Sequence, residues 1–510
     1  MNRTAPTFSP DQAEAWDAAA TLLRAAGVDP DDAGFWSRAA EGQESTVLAI
    51  TGKAGSGKTM LLAALTRALR DGGATMITGD WEGRRRSDRR SLAVLAPTNK
   101  AASVLRSHGV PATTIHRILY TPVYDPAYER IAEWLAGEAD RPEAGVLTDT
   151  QLDRAQVSYR QHASIPAALA AAGLRGSDFI TGWKRRDAPL DIGFVDESSM
   201  LDDRQFADLK QIFPTLLLFG DPAQLPPVQA TGGGMVFEKL PAAQVLTLSR
   251  VHRQQADSPI LDLAHALADP LLGFHDFQQM VADAARADGR VVMAERVVSD
   301  LMARSPVLVW RNATRIRLIH AFRDAYGAPP DQLLPGEPLI CDGIELPIKH
   351  RRKRLELEAR GLIKGAQAVY LGPGRSPGFA RLHVFGAEEP QVSAAAIIRI
   401  EKGGDEEPFI PSAARMGATF LHGAAVTIHK AQGSQWPVVQ VFAPDIRMAS
   451  EMGRIEAGQP LWKRLAYVAI TRAEQELRWV VRAALARPAT PLGIDDLTGP
   501  AAPLRLESDD

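Results

Sequence analysis

The sequence predicts an α/β protein of two similar lobes, each a sheet with helices and each interrupted by an insertion. Short apolar runs that end in polar residues and lead into helical stretches recur along the chain. They are Val47–Ile50, Ser91–Ala96, Ile192–Val195 and Thr215–Phe219, then Pro306–Trp310, Ala424–Ile428 and Val438–Phe442. Residues 120–188 break this rhythm with a polar stretch carrying Pro122, Pro126, Pro142 and Pro166, and residues 335–422 break it again with turn-rich segments. The third observation organises the rest. Gly52-Lys53-Ala54-Gly55-Ser56-Gly57-Lys58-Thr59 matches G-x-x-x-x-G-K-[ST], with a strand pattern before it and a helix pattern after it. That arrangement aims backbone N–H groups and a helix N-terminus at phosphate. Lys58 is placed to hold β- and γ-phosphates and Thr59 to hold Mg²⁺. A glycine-rich turn that fits by chance is the alternative, but all eight positions and both flanks agree.

At 510 residues the chain exceeds one ordinary domain; the length suggests roughly three or four. With 45% hydrophobic and 23% charged residues it is a globular composition. No apolar run is long enough to cross a membrane. The stretch Met1–Pro6 lacks the apolar core of a secretory signal. A single cysteine, Cys341, excludes an intrachain disulfide and a cysteine-rich zinc site. A cytoplasmic protein is the expectation. The net charge of −3 gives no global pull toward nucleic acid, so any such binding needs a local positive groove.

In chain order, Ser9-Pro10 reads as a helix start, with Gln12 on the helix surface when taken alone. Arg84–Arg86 and Arg89–Arg90 read as a solvated basic loop, with DNA contact as the alternative. The strand Ser91–Ala96 ends in Pro97-Thr98-Asn99-Lys100, a usual ligand position in α/β sheets. His116, taken alone, is structural. Phe179–Arg186 interleaves aromatics with cations, which suits base stacking and phosphate contact as well as an exposed loop packed by one tryptophan. Ile192–Val195 delivers Asp196 and Glu197: the first can reach Mg²⁺ or its water, the second can orient and deprotonate an attacking water. Gln224, flanked by prolines, offers a neutral amide to a γ-phosphate or a water. Ser249–Gln254 brings arginines that could reach across a cleft to a γ-phosphate, although taken alone they read as partners in a surface ion pair. Ile260–Leu267 reads as a helical connector. Alternation over 380–385 and 394–400 predicts a small β-barrel within 335–422, and the basic run His350–Arg354 inside it reads as solvated. The tail after Arg487 is Pro-rich and polar and is expected to be poorly ordered.

Taken together, these stretches resemble the superfamily 1 helicases, specifically the 5′→3′ group of RecD-like, Dda-like and Pif1-like enzymes. Gln12 matches the adenine-reading Q motif and residues 52–59 motif I. Ala96–Ala102 matches motif Ia, Thr114–Arg117 motif Ib, Val195–Met200 motif II and Gly220–Val228 motif III. His252-Arg253-Gln254 matches motif IV, residues 427–435 motif V and 467–473 motif VI. The resemblance implies two RecA-like P-loop NTPase lobes. Lobe 1A comprises 1–119 and 189–270, lobe 2A comprises 271–334 and 423–487, and 488–510 is a flexible tail. A 1B insertion at 120–188 carries a strand-separating pin, and 335–422 forms an SH3-like 2B barrel. It implies ATP and Mg²⁺ as cofactors, with Thr59 and Asp196 on the metal. The catalytic set is Lys58, Asp196, Glu197, Gln224 as γ-phosphate sensor, and Arg253 and Arg472 as arginine fingers. Nucleotide contacts fall to Gln12, Gly52, Ala54, Gly55, Ser56, Gly57, Lys58, Thr59, Met60 and Gly433. DNA contacts fall to Thr98, Asn99, Lys100, His116, Thr427 and His429. The implied function is a monomeric, ATP-dependent DNA helicase of replication, repair or recombination, acting on single-stranded and forked DNA away from membranes. A translocase that does not unwind, an RNA helicase and a nucleotide-switched binding module are the competing expectations. One departure is Gln435, where RecD-like relatives often carry Glu, which leaves sugar discrimination open.

Overall fold

The computed structural model describes residues 8–498 except 33, 35, 37–43, 80, 82–87, 144, 146, 164, 174–179, 187, 228–233, 250–257, 346–355, 388, 405 and 415–416. Arg84–Arg86, Phe179, Val228, the stretch containing Arg253, and His350–Arg354 therefore lie outside the described residues.

Consecutive apolar residues with no alternation need cover on both faces, and the first sheet supplies it. Its strands run in the order Thr75–Ile77, Ser91–Ala96, Ile192–Val195, Thr215–Gly220, Thr46–Gly52 and Val245–Leu248, with Ala112–Thr114 also pairing with Ser91–Ala96. All these pairings are parallel. One face packs against the helices Pro10–Ala25, Lys58–Gly72 and Asn99–Ser107 through Leu23, Leu62, Leu65, Leu105 and Phe194. The other face buries Leu95, Phe213, Leu218 and Phe237. Register sets the working edge. Thr51 lies opposite Gly220, and Val195 opposite both Leu95 and Leu218. The residues that follow these strand ends thus emerge side by side.

The second sheet is also parallel, in the order Val291–Ala294, Ala473–Val480, Trp436–Phe442, Val307–Val309 and Ala425–Thr427. It begins earlier than the strand at Pro306. The helix Pro259–Ala266, placed by the sequence with the 189–270 segment, packs Ile260 and Leu263 into the second core with Phe277, Leu465 and Trp479. The two parallel α/β lobes are as expected.

The 120–188 insertion stands on an antiparallel ribbon, Tyr120–Tyr124 with Ile180–Arg185. It carries helices Pro126–Ala136, Asp149–His162 and Ile165–Ala171 around a small core of Ile131, Trp134, Leu152 and Leu169. In the 335–422 insertion, Pro338–Glu345, Gln367–Pro373, Phe379–Val384 and Gln391–Ile400 pair in sequence or through Gly417–His422, and the ring closes. One of its pairings, Gln391–Ile400 with Gly417–His422, is parallel. Leu382, Val384, Ile398 and Phe420 fill the interior.

The chain leaves the second lobe for this barrel and returns at adjacent points: Gly423 N donates to Pro338 O at 2.8 Å. A buried cluster ties the junction. Glu337 accepts from Arg323 Nε and from His422 Nε2, each at 3.0 Å, while His422 Nδ1 accepts from Ala424 N at 3.2 Å. That pattern assigns His422 the neutral Nε2–H tautomer. Burial pushes the His422 ring down from its ordinary range, with Glu337 opposing. Burial alone would raise the Glu337 carboxyl, but the hydrogen bond from His422 and the Arg323 charge hold it below the usual range.

The tail differs from expectation. Residues 488–498 are docked on the second lobe, not free. Asp300 accepts from Ala489 N and Thr490 N at 2.9 and 3.0 Å. Arg304 grips Asp496 at 2.7 and 2.8 Å and Gly493 O at 2.8 Å. Local composition does not reveal partners nearly two hundred residues away. Among the described residues, no helix is long and apolar enough to cross a membrane.

Glu337→Ala would strand the buried Arg323 guanidinium. Breaking such a pair costs about 3–5 kcal/mol, and chemical denaturation of the full chain should show a loss of that order.

Candidate nucleotide site and cleft

The phosphate loop leaves Thr46–Gly52 and turns through Gly55 and Gly57, both left-handed at φ +82° and +81°. A side chain at these positions would be strained. The helix Lys58–Gly72 follows, and its first i→i−4 bond runs from Leu61 N to Gly57 O. The N–H groups of Lys58, Thr59 and Met60 precede that bond and have no acceptor within the helix, an arrangement that suits an anion. The Lys58 ammonium rests on the carbonyls of Gly52 and Lys53. A Cβ on Gly52 would meet Ser56 Oγ at 2.5 Å and Leu248 O at 3.1 Å, so a side chain there would force the loop or the neighbouring strand to shift.

Gln12 is not on the helix surface. It is fully buried, its Oε1 accepts from Ser9 N at 3.0 Å, and its Nε2 donates to Ser56 O at 3.2 Å. The amide thus ties the first helix to the loop.

Asp196 and Glu197 follow Val195 on the neighbouring strand. Burial and the adjacent Glu197 charge push the Asp196 carboxyl up to about 7. Glu197 sits in the left-handed region at φ +51°, uncommon for a non-glycine residue. Gln224 is buried; its Nε2 donates to Glu197 Oε2 at 2.9 Å and its Oε1 accepts from Ser199 Oγ at 3.2 Å. Strained backbone and a dedicated amide hold the second carboxylate in one orientation.

The second lobe meets this edge. Arg472 is buried and donates to Val468 O, Ser434 O and Thr471 Oγ1, each at 3.1 Å, all in its own lobe. Burial lowers its affinity for the proton, and the Glu197 charge is the foremost influence opposing this. Tyr467 and Arg464 contact the first lobe directly. Tyr467 Oη accepts from Ala54 N at 2.8 Å and donates to Asp221 Oδ2 at 2.6 Å. Arg464 donates to Pro222 O at 3.0 Å and to Gln224 O. Gly433 is left-handed and borders Ala101 and Thr98 of the first lobe, not the phosphate loop: a Cβ there would lie 3.1 Å from Ala101 Cβ.

A cleft of about 880 Å³ opens where both lobes and both insertions meet. Thr98, Asn99, Lys100 and His116 line it from the first lobe, and His429 and Lys430 from the second. Thr427 ends the strand before His429 and is not part of the lining. The Thr98 hydroxyl caps the helix Asn99–Ser107 by accepting from Ala101 N at 3.1 Å. Burial pushes His116, His429 and Lys100 down, so both imidazoles are neutral at pH 7. Six lining residues are Lys or Arg against two carboxylates, Asp342 and Glu358, which gives the cleft a positive balance that the whole chain lacks. Trp183, 41% exposed, stands on this wall with its ring centroid 5.5 Å from His116 and 6.4 Å from Tyr120. An exposed ring beside cations can stack a nucleobase. Trp183 was legible only as part of an aromatic–cation run. Arg464 carried no signal, lying in an apolar helix.

The AAA domain family model matches residues 37–294, more than half of the chain, and a UvrD-like helicase C-terminal domain model matches residues 422–480. The chain belongs to the AAA domain family. An AAA domain model followed by a UvrD-like helicase C-terminal model, with a RecD2 helicase as relative, bears out the resemblance to the RecD-like superfamily 1 helicases. An 83-residue stretch, 16% of this chain, is 41% identical to the ATP-dependent RecD2 DNA helicase of Deinococcus radiodurans, and the match spans only 11% of that relative's length. Among solved structures, the Pif1 helicase from Candida albicans aligns over 93% of this chain and 95% of that one, at 15% identity and a TM-score of 0.47. The Pif1 helicase from Bacteroides in complex with ADP-AlF3 and ssDNA aligns over 93% and 95%, at 13% identity and a TM-score of 0.44.

Proposed function

We propose that this chain is an ATP-dependent DNA helicase that moves 5′→3′ on single-stranded DNA and opens forked duplexes, as a monomer in the cytoplasm. One observation carries the reading furthest. The phosphate loop, the Asp196–Glu197 pair and Gln224 share one edge of the first lobe, facing the second lobe, and a cation-lined cleft crosses both lobes beside them. The name of the Deinococcus relative, an ATP-dependent DNA helicase, supports the choice of ATP and DNA. The polarity rests on the resemblance alone, as do the SH3-like character of the closed barrel and the pin of the 120–188 insertion.

Lys58 and the N–H groups of residues 55–60 bind the phosphates, and Gln12 holds the loop beside them. The Thr59 hydroxyl and Asp196 carboxylate are hard oxygen donors, a set that fits Mg²⁺ shared with phosphate oxygens. The raised Asp196 marks a place where a cation would relieve crowded negative charge. Bound there, Mg²⁺ would neutralise charge on the phosphates. Glu197, oriented by Gln224, takes the proton of the attacking water. Arg472, within electrostatic reach of Glu197, and Arg253 complete the site when the lobes close. ATP contacts both lobes and favours closure; loss of the γ-phosphate favours opening. Thr98, Asn99, Lys100, His116 and His429 hold the strand, Thr427 ends the β-strand that positions His429, and Trp183 stacks a base, so alternating grip moves the chain along the DNA.

Lys58→Ala should abolish single-strand-stimulated ATP hydrolysis while leaving weak DNA binding; substantial residual stimulated turnover would sink the site assignment. Unwinding of two partial duplexes, one tailed at 5′ and one at 3′, tests activity and polarity together, and opening of the 5′-tailed substrate is expected. Trp183→Ala should weaken single-strand affinity about tenfold, within the roughly 1–3 kcal/mol per stacked base, with the salt dependence unchanged. Lys100→Ala should instead reduce the salt slope by about one.

A further inference from the structure

We propose that Arg464 and Tyr467, one turn apart on the helix Leu461–Ile470, are positioning residues that couple the approach of the second lobe to the geometry of the phosphate loop and of Gln224. This rests on ATP hydrolysis being the reaction of the site described above.

The Tyr467 hydroxyl joins three segments at one oxygen. It accepts from Ala54 N in the phosphate loop and donates to Asp221 at the end of the neighbouring strand, while its ring belongs to the second lobe. Tyr467 is 2% exposed and Asp221 is 1% exposed, so neither partner has water as a substitute. Burial and the Asp221 charge hold the phenol well above its ordinary range, which keeps its proton available to Asp221. The other end of the Ala54 peptide also faces the second lobe: His265 Nε2 lies 3.4 Å from Ala54 O.

Arg464 does the corresponding work on the next loop. Its guanidinium donates to Pro222 O and Gln224 O on the first-lobe side. On its own side it donates to Glu456 O at 3.1 Å and Ala457 O at 2.9 Å. Ala457 is left-handed at φ +46°, in the hairpin turn between Ile455–Glu456 and Gln459–Pro460. One planar fork therefore spans two loops from different lobes. The segment 221–224 is held from the helix at three points: the Asp221 carboxylate, Pro222 O and Gln224 O. Its last residue carries the amide that orients Glu197. A displacement of the helix is transmitted to Gln224 through these bonds, and to the loop through Ala54. Arg472, on the same lobe, donates to Val468 O, Ser434 O and Thr471 Oγ1 within that lobe.

The test is steady-state ATP turnover by the full chain, with single-stranded DNA present, for the wild type, Tyr467→Phe and Arg464→Lys. The folded fraction of each is measured by circular dichroism. Tyr467→Phe keeps the ring and loses both hydrogen bonds; Arg464→Lys keeps the charge and loses the fork. Each should lower kcat about tenfold per folded molecule while KM for ATP stays within about twofold, the pattern of lost alignment and not of lost binding. Millimolar guanidinium should partly restore kcat to Arg464→Ala, and methylammonium should not. Unchanged kcat in both conservative variants, or a loss that only follows the folded fraction, overturns the proposal. A wild type that does not hydrolyse ATP overturns the reading of the site itself, and this inference with it.

Discussion

Parallel register in the first sheet is the constraint on which the rest depends. Thr51 opposite Gly220, and Val195 opposite Leu95 and Leu218, set the height at which each strand ends. A shift of one residue in any of these pairings would exchange the side chains packed on the two faces, each of which is a filled core. It would also separate Glu197 from Gln224, which meet at 2.9 Å. Packing and chemistry therefore select the same register, and the site inherits its precision from the sheet.

The opposing face of the site is built differently. Contacts across the lobes include single polar groups on backbone: Tyr467 on Ala54, Arg464 on Pro222 and Gln224, and Gln432 Nε2 on Leu225 O at 3.4 Å. Hydrogen bonds to peptide groups are directional and reversible, whereas a fused apolar core would resist separation. Most apolar packing stays within one lobe or the other, and apolar contact across the seam runs through Leu225, Ala223 and Ala54 of the first lobe, which pack against the second lobe's core.

Much of this was legible in the sequence because the physics is local. Val47–Ile50 and Leu216–Phe219 are continuous apolar runs, which is what strands buried on both faces look like. The glycine loop states its own left-handed turns. Other features depend on partners far along the chain. Gln12 is buried against Ser56, and taken alone it reads as a helix-surface residue. The segment after Arg487 looks unstructured until Asp300 and Arg304 supply its anchors. Leu461–Ile470 is buried on every side, so its composition announces a core helix and hides Arg464 and Tyr467, which reach from it to the first lobe. The parallel pairing that helps close the barrel, between Gln391–Ile400 and Gly417–His422, has no periodicity to announce it.

The doorway of that barrel has an architectural consequence. The outgoing and returning chains touch at Pro338 and Gly423, and Leu339 pairs with His422. The host sheet therefore feels neither the length nor the shape of what lies between, because closing a short loop there would demand the same spacing. The module is interchangeable in principle. It can be trimmed, enlarged or exchanged while the lobe beneath keeps its strand order, provided the contacts of Arg323, Glu337 and His422, and those of Arg315 and His320 with Glu401, are redrawn with it.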